Sequence, residues 1–331
     1  MSAKASNPPS TLSRRALLAL GAALACAGAS ADPYPVKPVR LIVPFAAGGT
    51  ADLAARVVAE PLAQALGQPL VIENKVGAGG TVGTAGAARE TPDGHAISLG
   101  SVSTHATSLS LYKDLKYDPR RDFIPLGMIA EVPGVLVVSA KLGASTLAEF
   151  VALARARPGA LNFGSIGNGT SQHLGGELFK LVTSTQLTHV PYRQNGQLVG
   201  DLLDGRIHMI IDNLPNVQAH IQSGALKAIA VTTQGRAPTL PNVPTMVELG
   251  HADFLISSWV ALFAPAGTPA DVSARLSREL QAAVALPRVR ERLAGAGMQV
   301  RPLNPDQLRA FMDTEIARWA RVVSASGARI D

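Results

Sequence analysis

The sequence predicts an α/β protein built around parallel strands and arranged as two lobes, and three observations carry that prediction. Short β-branched runs alternate with helical patterns along the chain. Glycine- and hydroxyl-rich loops join strand to helix at four places: residues 45–50, 77–80, 101–104 and 165–170. The strand, loop, helix order then repeats in the middle of the chain with different loop residues, as a second lobe would. The composition permits such a fold. The 331 residues are 47% hydrophobic and 16% charged, enough for one large or two ordinary cores. The 30 Lys plus Arg against 24 Asp plus Glu, with no like-charge block, exclude disorder and a nucleic-acid arm. Aromatics at 4% leave few stacking platforms, and the single cysteine excludes an internal disulfide, a Cys-rich zinc site and an iron–sulfur cluster.

Residues 1–31 read as an address. They hold no acidic side chain, the basic residues Lys4, Arg14 and Arg15, an apolar run over 16–27 and the ending Ala29-Ser30-Ala31. That is the three-part build of a bacterial export signal, and the run is shorter than the roughly 20 residues a bilayer-spanning helix needs. Ser13-Arg14-Arg15-Ala16-Leu17-Leu18 resembles a twin-arginine signal; an ordinary secretory signal with the same two arginines as its positive end is the alternative. Ala23-Leu24-Ala25-Cys26 also resembles a loose lipobox, with Ala23 where Leu is usual, which would lipidate Cys26. Cleavage after Ala31 would start the mature chain at Asp32 and remove three basic residues and the cysteine, leaving 27 basic against 24 acidic side chains, a net charge of +3. Such a chain works in the periplasm, where ATP and NAD are scarce, so nucleotide enzymes are disfavoured before any motif is considered.

The mature chain opens with a β-branched run at 39–43, a glycine loop and a helical pattern over 50–66. Gly67 stands where a left-handed helix end wants glycine, while Pro61 should kink or split that helix. A second strand at 69–73 leads to Gly77-Ala78-Gly79-Gly80 and a short helix to about Arg89. The turn Thr91-Pro92-Asp93-Gly94 precedes a strand at 95–99. In the middle, a strand at 135–139 is followed by the capping box Thr146-Leu147-Ala148-Glu149. The helix behind it puts Leu147, Phe150, Val151 and Ala154 on one stripe and stops at Pro158-Gly159. A strand at 161–164, the loop 165–170 and a helix at 171–182 come next, then strands at 188–190, 207–211 and 226–231. A proline-rich connection over 237–244 leads to a strand at 257–263 and three helical stretches. Residues 271–286 place Val272, Leu276, Leu280 and Val284 at helical spacing, and 305–326 is the plainest amphipathic pattern. Periodicity does not say which lobe these helices join.

The strongest local feature is Val43-Pro44-Phe45-Ala46-Ala47-Gly48-Gly49-Thr50-Ala51-Asp52, a strand that empties through paired glycines into a helix N-terminus. N–H groups there, backed by the helix dipole, suit a carboxylate or phosphate; a plain turn in which Asp52 serves its own helix end is the alternative. Gly77-Ala78-Gly79-Gly80-Thr81-Val82-Gly83 misses the dinucleotide fingerprint, because its third glycine falls one place late. It serves more economically as a glycine wall facing the first loop. Ser165 to Thr170, with Gln172 and His173 behind it, and the group Ser101, Ser103 and Thr104 complete the set. Each alone is an ordinary capped turn, but four such loops at strand C-terminal ends lie where open α/β sheets bind ligands. Catalytic motifs fare worse. No serine sits in a G-x-S-x-G elbow, there is no P-loop, and the seven histidines include no H-E-x-x-H pair. Neither a metal nor a cofactor is expected. His208, four residues before Asp212 and within the strand-like run 207–211, reads as an ordinary strand residue rather than as a ligand, and Arg120-Arg121 as solvated surface.

With these residues in hand the chain resembles the Bug family, the periplasmic solute receptors of tripartite tricarboxylate transporters. The motifs are Pro44 to Asp52, Glu73-Asn74-Lys75 with Gly77 to Gly80, Pro92-Asp93-Gly94, Tyr117-Asp118-Pro119 with Asp122-Phe123, and Pro158-Gly159 with Asn162-Phe163-Gly164-Ser165. Val190-Pro191-Tyr192-Arg193 and Trp259 with Ala264-Pro265-Ala266-Gly267-Thr268-Pro269 complete them. The resemblance implies a two-lobed periplasmic-binding-protein type II (Venus flytrap) fold, with lobe one at 32–131 plus 240–331 and lobe two at 132–239. It implies a small carboxylate in the interlobe cleft. Phe45, Ala46, Ala47, Gly48, Gly49, Thr50, Asp52, Gly79, Ser101, Ser103 and Thr104 would line one side. Ser165, Gly167, Thr170, His173, Tyr192, Gln194 and Asp212 would line the other. It implies no reaction, a monomer that does not bind nucleic acid, and delivery to the large and small membrane subunits of such a transporter. A sensory receptor passing occupancy to a membrane signalling protein, and an exported hydrolase, are the alternatives. The chain departs from the family at Gln194, where glycine is usual, at Gln197, where proline is usual, and at His208, a position commonly acidic. A Gln194 that entered the cleft would make the pocket smaller and more polar.

Overall fold

β-branched runs fold as strands when both faces are covered, and here they do so in a single ten-stranded sheet. The computed structural model describes Met1 and residues 34–326; the expected export segment, with Cys26, lies outside the described residues. The sheet and helices belong to the compact unit that begins at Lys37. β1 (Val39–Val43) lies parallel to β2 (Leu70–Asn74) and to β3 (Ala96–Ser101). β9 (Ser257–Pro265) continues this half antiparallel to β3. In the other half β5 (Asn162–Ser165) runs parallel to β6 (Thr188–Pro191) and β7 (Met209–Asn213).

The halves are joined by β4 (Phe123–Ser139), which is far longer than the strand expected at 135–139. Pro125, Gly127, Glu131 and Pro133 break the apolar run in its first part, and the ladder absorbs them by slipping register between Pro125 and Gly127 and between Met128 and Ala130. From Phe123 to Pro133 β4 pairs with β9. From Gly134 onward it pairs with β7 and with β8 (Leu226–Val231). The chain returns beside this switch: Thr232 N–H donates to Gly134 O and Ile256 N–H to Thr232 O, both at 2.9 Å. A Cβ on Gly134 would overlap Thr232 Oγ1 and sit 2.5 Å from Ile256 O, so only glycine fits the crossing. The short β10 (Gln299–Val300), unseen in the sequence, pairs with β4.

Among the helices, α1 (Thr50–Leu66) is one continuous helix, which corrects the expected split at Pro61. Pro61 lies on its buried face with Val58 and Leu62, so packing holds the turn that has lost an N–H. Gly67 ends the helix at φ 74°, as expected. α2 (Thr81–Ala87) follows. One wide turn at Ser103–Thr107 leads into α3 (Ser108–Leu111). α4 (Leu147–Ala156) carries the full capping box of Thr146 and Glu149. α5 (Ser171–Thr183) comes next, then two helices that the sequence reading did not find, α6 (Asn195–Asp204) and α7 (Leu214–Gln222). α8 (Ala270–Ala285), α9 (Pro287–Gly295) and α10 (Pro305–Ser326) are the three C-terminal helices.

α8 packs on α1 and β4, while α10 touches the wide turn, β4 and α5, and so reaches both halves. One apolar core follows it, from Phe123, Phe263 and Trp259 through to Phe163, Phe179 and Phe150. A smaller core of Val135, Val137, Leu198, Leu202 and Ile210 lies wholly in the second half. α10 is fastened by the buried Glu315, whose carboxylate accepts the indole N–H groups of Trp259 and Trp319 and the guanidinium of Arg318. Arg318 Nη1 in turn donates to Leu255 O, on the return crossing, at 2.6 Å.

Candidate functional site

Parallel pairing puts the C-terminal ends of β1 and β3 at one edge of the first half, and those of β5 and β7 at one edge of the second. The loop after β1 is closed by Asp52, which is almost fully buried. Gly48 N–H donates to its Oδ2 at 2.9 Å, Arg56 Nε to Oδ2 at 2.8 Å, and Asn74 Nδ2 to Oδ1 at 3.1 Å. Burial alone would raise the carboxyl pKa, but donors from Arg56, Gly48 and Asn74 outweigh it and hold the group below its usual range. Asn74 also donates to Phe45 O at 2.9 Å. Asp52 thus shapes the loop through the Gly48 N–H, while the N–H groups of Ala46, Ala47, Gly49 and Thr50 find no protein acceptor among the described residues.

The glycine wall does face this loop. A Cβ on Gly80 would lie 3.1 Å from the Phe45 ring and 2.8 Å from Thr104 Cγ2, and one on Gly83 would press against Pro44. Gly79, at φ 64°, approaches the other half: a Cβ there would lie 3.2 Å from Asn168 O. Ser101 and Thr104 turn inward. Thr104 is fully buried, and its Oγ1 receives Ser101 N–H at 3.0 Å and contacts His105 Nδ1 at 2.9 Å. Ser101 Oγ is buried without a partner among the described residues, and the half-buried Ser103 begins the wide turn.

In the second half, the loop 165–170 is bound largely to itself. Ser165 Oγ donates to Gly167 O at 3.0 Å and receives Gly167 N–H at 3.2 Å, and Thr170 Oγ1 donates to Gly167 O at 2.8 Å. Two stacked imidazoles lie beneath it, His173 and His189, with ring centroids 4.1 Å apart. His173 Nδ1 accepts Gly169 N–H at 3.1 Å, and His189 Nε2 meets Ser165 Oγ at 2.7 Å. Burial pushes both imidazoles down, His189 to about 3, so both are neutral near pH 7.

Asp212, near the end of β7, is buried between the first turns of α5 and α7. Its Oδ1 accepts Gln172 Nε2 at 2.6 Å, Asn213 N–H at 2.7 Å and Asn216 Nδ2 at 2.9 Å. Burial raises its pKa, partly offset by the donors Asn216, Gln172 and Asn213. Asn216 carries the network across the halves, because Thr50 Oγ1 donates to its Oδ1 at 2.9 Å. Thr107 Oγ1 makes a second crossing, donating to Gly169 O at 3.0 Å.

The structure therefore brings Thr50, Asp212, Gly79, Thr170 and their loops to one region. Tyr192 is turned to another partner, and Gln194 is exposed. The Tyr192 hydroxyl donates to Asp201 Oδ2 at 2.7 Å, on α6, and Gln194 stands at the start of that helix. His208 contacts Asn162 Oδ1 at 2.9 Å on the neighbouring strand. Asn216, Thr107 and His189 escaped the sequence reading. The spacing of Asn216 four residues after Asp212 was the available signal, and it is silent unless α7 is known to be a helix. Among the described residues no three His, Cys, Asp or Glu side chains converge as metal ligands, and no helix is long and apolar enough to cross a membrane.

A ten-stranded sheet divided by one long strand, with loops from both halves meeting at the strand ends, is the two-lobed α/β fold of periplasmic binding proteins, and solved structures agree. The periplasmic binding protein BugD superposes with a TM-score of 0.85 at 35% identity, over 89% of this chain and 99% of that one. Rpa4515 of R. palustris with adipate gives 0.86 at 34% identity, over 90% and 100%. MatC of Rhodopseudomonas palustris with bound malate gives 0.83 at 33% identity, over 88% and 100%. The chain belongs to the tripartite tricarboxylate transporter family receptors, whose family model matches residues 54–328. The Bordetella pertussis protein BugT is 40% identical over 321 residues, 96% of this chain and 98% of that protein.

Proposed function

We propose that this chain is a periplasmic receptor that takes a small carboxylated organic solute between its lobes and delivers it to the membrane subunits of a tripartite tricarboxylate-type transporter. The lobes are residues 32–131 with 240–331, and 132–239. The observation that carries the reading is the hydrogen bond from Thr50 to Asn216, because it joins the anion loop of one lobe to the Asp212 network of the other. Family membership and the adipate and malate held by similar proteins support a carboxylate as the solute.

The chemistry suits the task. A carboxylate that leaves water is compensated by charge-assisted N–H bonds of about 1.5 to 3 kcal/mol each, and the N–H groups of Ala46, Ala47 and Gly49, which have no acceptor among the described residues, offer them beside the α1 N-terminus. The solute favours the closed arrangement only through its greater affinity for it. The chain acts as a monomer, without catalysis, and residues 1–31 direct its export. Thermal-shift screening against mono-, di- and tricarboxylates and acidic amino acids tests the reading: at least one should raise the melting temperature, and no shift with any anion would sink it. Loss of uptake of that solute in a deletion strain then separates transport from signalling.

A further inference from the structure

Three carboxylates are buried among the described residues: Asp52, Asp212 and Glu315. Asp52 is paired with Arg56 and Glu315 with Arg318. Asp212 has no such cation, and the fold treats its two oxygens unequally. Oδ1 receives three N–H donors, from Gln172, Asn213 and Asn216. Oδ2 is as deeply buried and receives none from any described residue. A buried carboxylate oxygen without a donor is costly, so a fold that spends three donors on one oxygen leaves the other for a partner from outside.

The location says which partner. Asp212 lies near the end of β7, whose parallel neighbour β5 ends at Ser165, and the Asn216 that holds Oδ1 also meets Thr50 of the anion loop. This is the region assigned above to the solute, and the inference rests on that assignment. We propose that Asp212 Oδ2 is a specificity-determining acceptor: it takes a hydrogen bond from a hydroxyl or ammonium group on the solute, so the receptor selects carboxylates that bear such a group over their unsubstituted counterparts. A bare dicarboxylate brings only acceptors, and its oxygen opposite Oδ2 meets like charge. A hydroxyl or ammonium beside the carboxylate brings the missing donor, while the carboxylate itself is held by the N–H groups of the loops. Gln172 and Asn216 fix the Asp212 carboxylate from the first turns of two helices, so it cannot rotate away from a poor ligand.

Calorimetric titration of the wild-type protein with succinate, malate and aspartate, and with glutarate, 2-hydroxyglutarate and glutamate, tests this. Within a series that binds, the hydroxy or amino acid should bind roughly tenfold or more tighter than the unsubstituted acid. Asp212→Asn should shrink that advantage to under about threefold or reverse it, because an amide N–H would then face the donor. Equal or tighter binding of the unsubstituted acid to wild type overturns the proposal, as does an advantage that survives Asp212→Asn. Should the variant fail to fold, wild type alone decides. Titration of succinate and glutarate in buffers of different ionisation heat would reveal uptake of one proton if Asp212 were itself the donor, and that too overturns the proposal. Binding of none of the six acids by a protein that melts cooperatively is a different failure, that of the carboxylate reading itself.

Discussion

At the scale of single residues, Asp52 shows how one side chain sets a loop. Its carboxylate holds the Gly48 N–H while Arg56 and Asn74 hold the carboxylate, and the positive φ of 80° at Gly48 is part of the same turn. Asp52→Ala should cost about 1 to 3 kcal/mol in urea unfolding at neutral pH, from the loss of the charge-assisted hydrogen bonds that Gly48, Arg56 and Asn74 make to the buried carboxylate. Because the folded carboxyl titrates below its usual range, this stabilisation is complete above that range and is lost as pH falls through the folded value. The gap between wild type and variant should therefore narrow in acid, and a gap independent of pH would show that the charge is irrelevant. This residue was half legible in the sequence, since a Gly-Gly turn with an aspartate in the first helical turn suggests such a contact. Glu315 was not, because one of its two indole partners, Trp259, lies 56 positions away, and only the packing of α10 on β9 joins them.

At the scale of elements, the sequence was read well where one period or one cap decides the outcome. The Thr146 capping box, the Gly67 helix end and the span of α10 follow from local rules. β4 was read short because its first part keeps pace with β9 through bulges, and a bulge destroys the period that a sequence reading uses. Glycines within helices separate packing from propensity. On α5, a Cβ at Gly176 would drive into the fully buried Phe163 ring, so Gly176→Ala should destabilise by about 1 to 3 kcal/mol. On α2, a Cβ at Gly86 meets nothing within 4 Å, and Gly86→Ala should stabilise by about 0.5 to 1 kcal/mol through helix propensity. Denaturant unfolding of the two variants measures both, and equal effects would mean that the α5 to β5 contact is looser than the structure shows.

At the scale of the whole molecule, both halves depend on keeping histidines neutral. His105 is fully buried in the first half, stacked on Phe263 at 4.0 Å, and burial pushes it down to about 3. In the second half His189 is pushed down to about 3 and His173 is also lowered, both chiefly by burial. An unfolded chain takes up protons at these side chains once pH falls below their ordinary value of 6.5, while the folded chain does not. Stability is therefore full above that value and should decline steadily as pH falls from it towards about 3. Asp212 works in the opposite sense, since its raised pKa means that acid relieves a penalty in the folded state, but it is one group against these three imidazoles and His208, which burial also lowers. The second half carries a further consequence. His173 Nδ1 can accept the Gly169 N–H only while unprotonated, and the carbonyl of that same Gly169 is where Thr107 crosses from the other half. Acid should thus loosen the loop 165–170 and weaken solute binding before the protein unfolds. Melting temperature and solute affinity followed from pH 7.5 to 4 in wild type and in His189→Asn check both steps. The variant should show a shallower loss of stability with acid, and a wild-type melting temperature that stays level across that range would sink the argument.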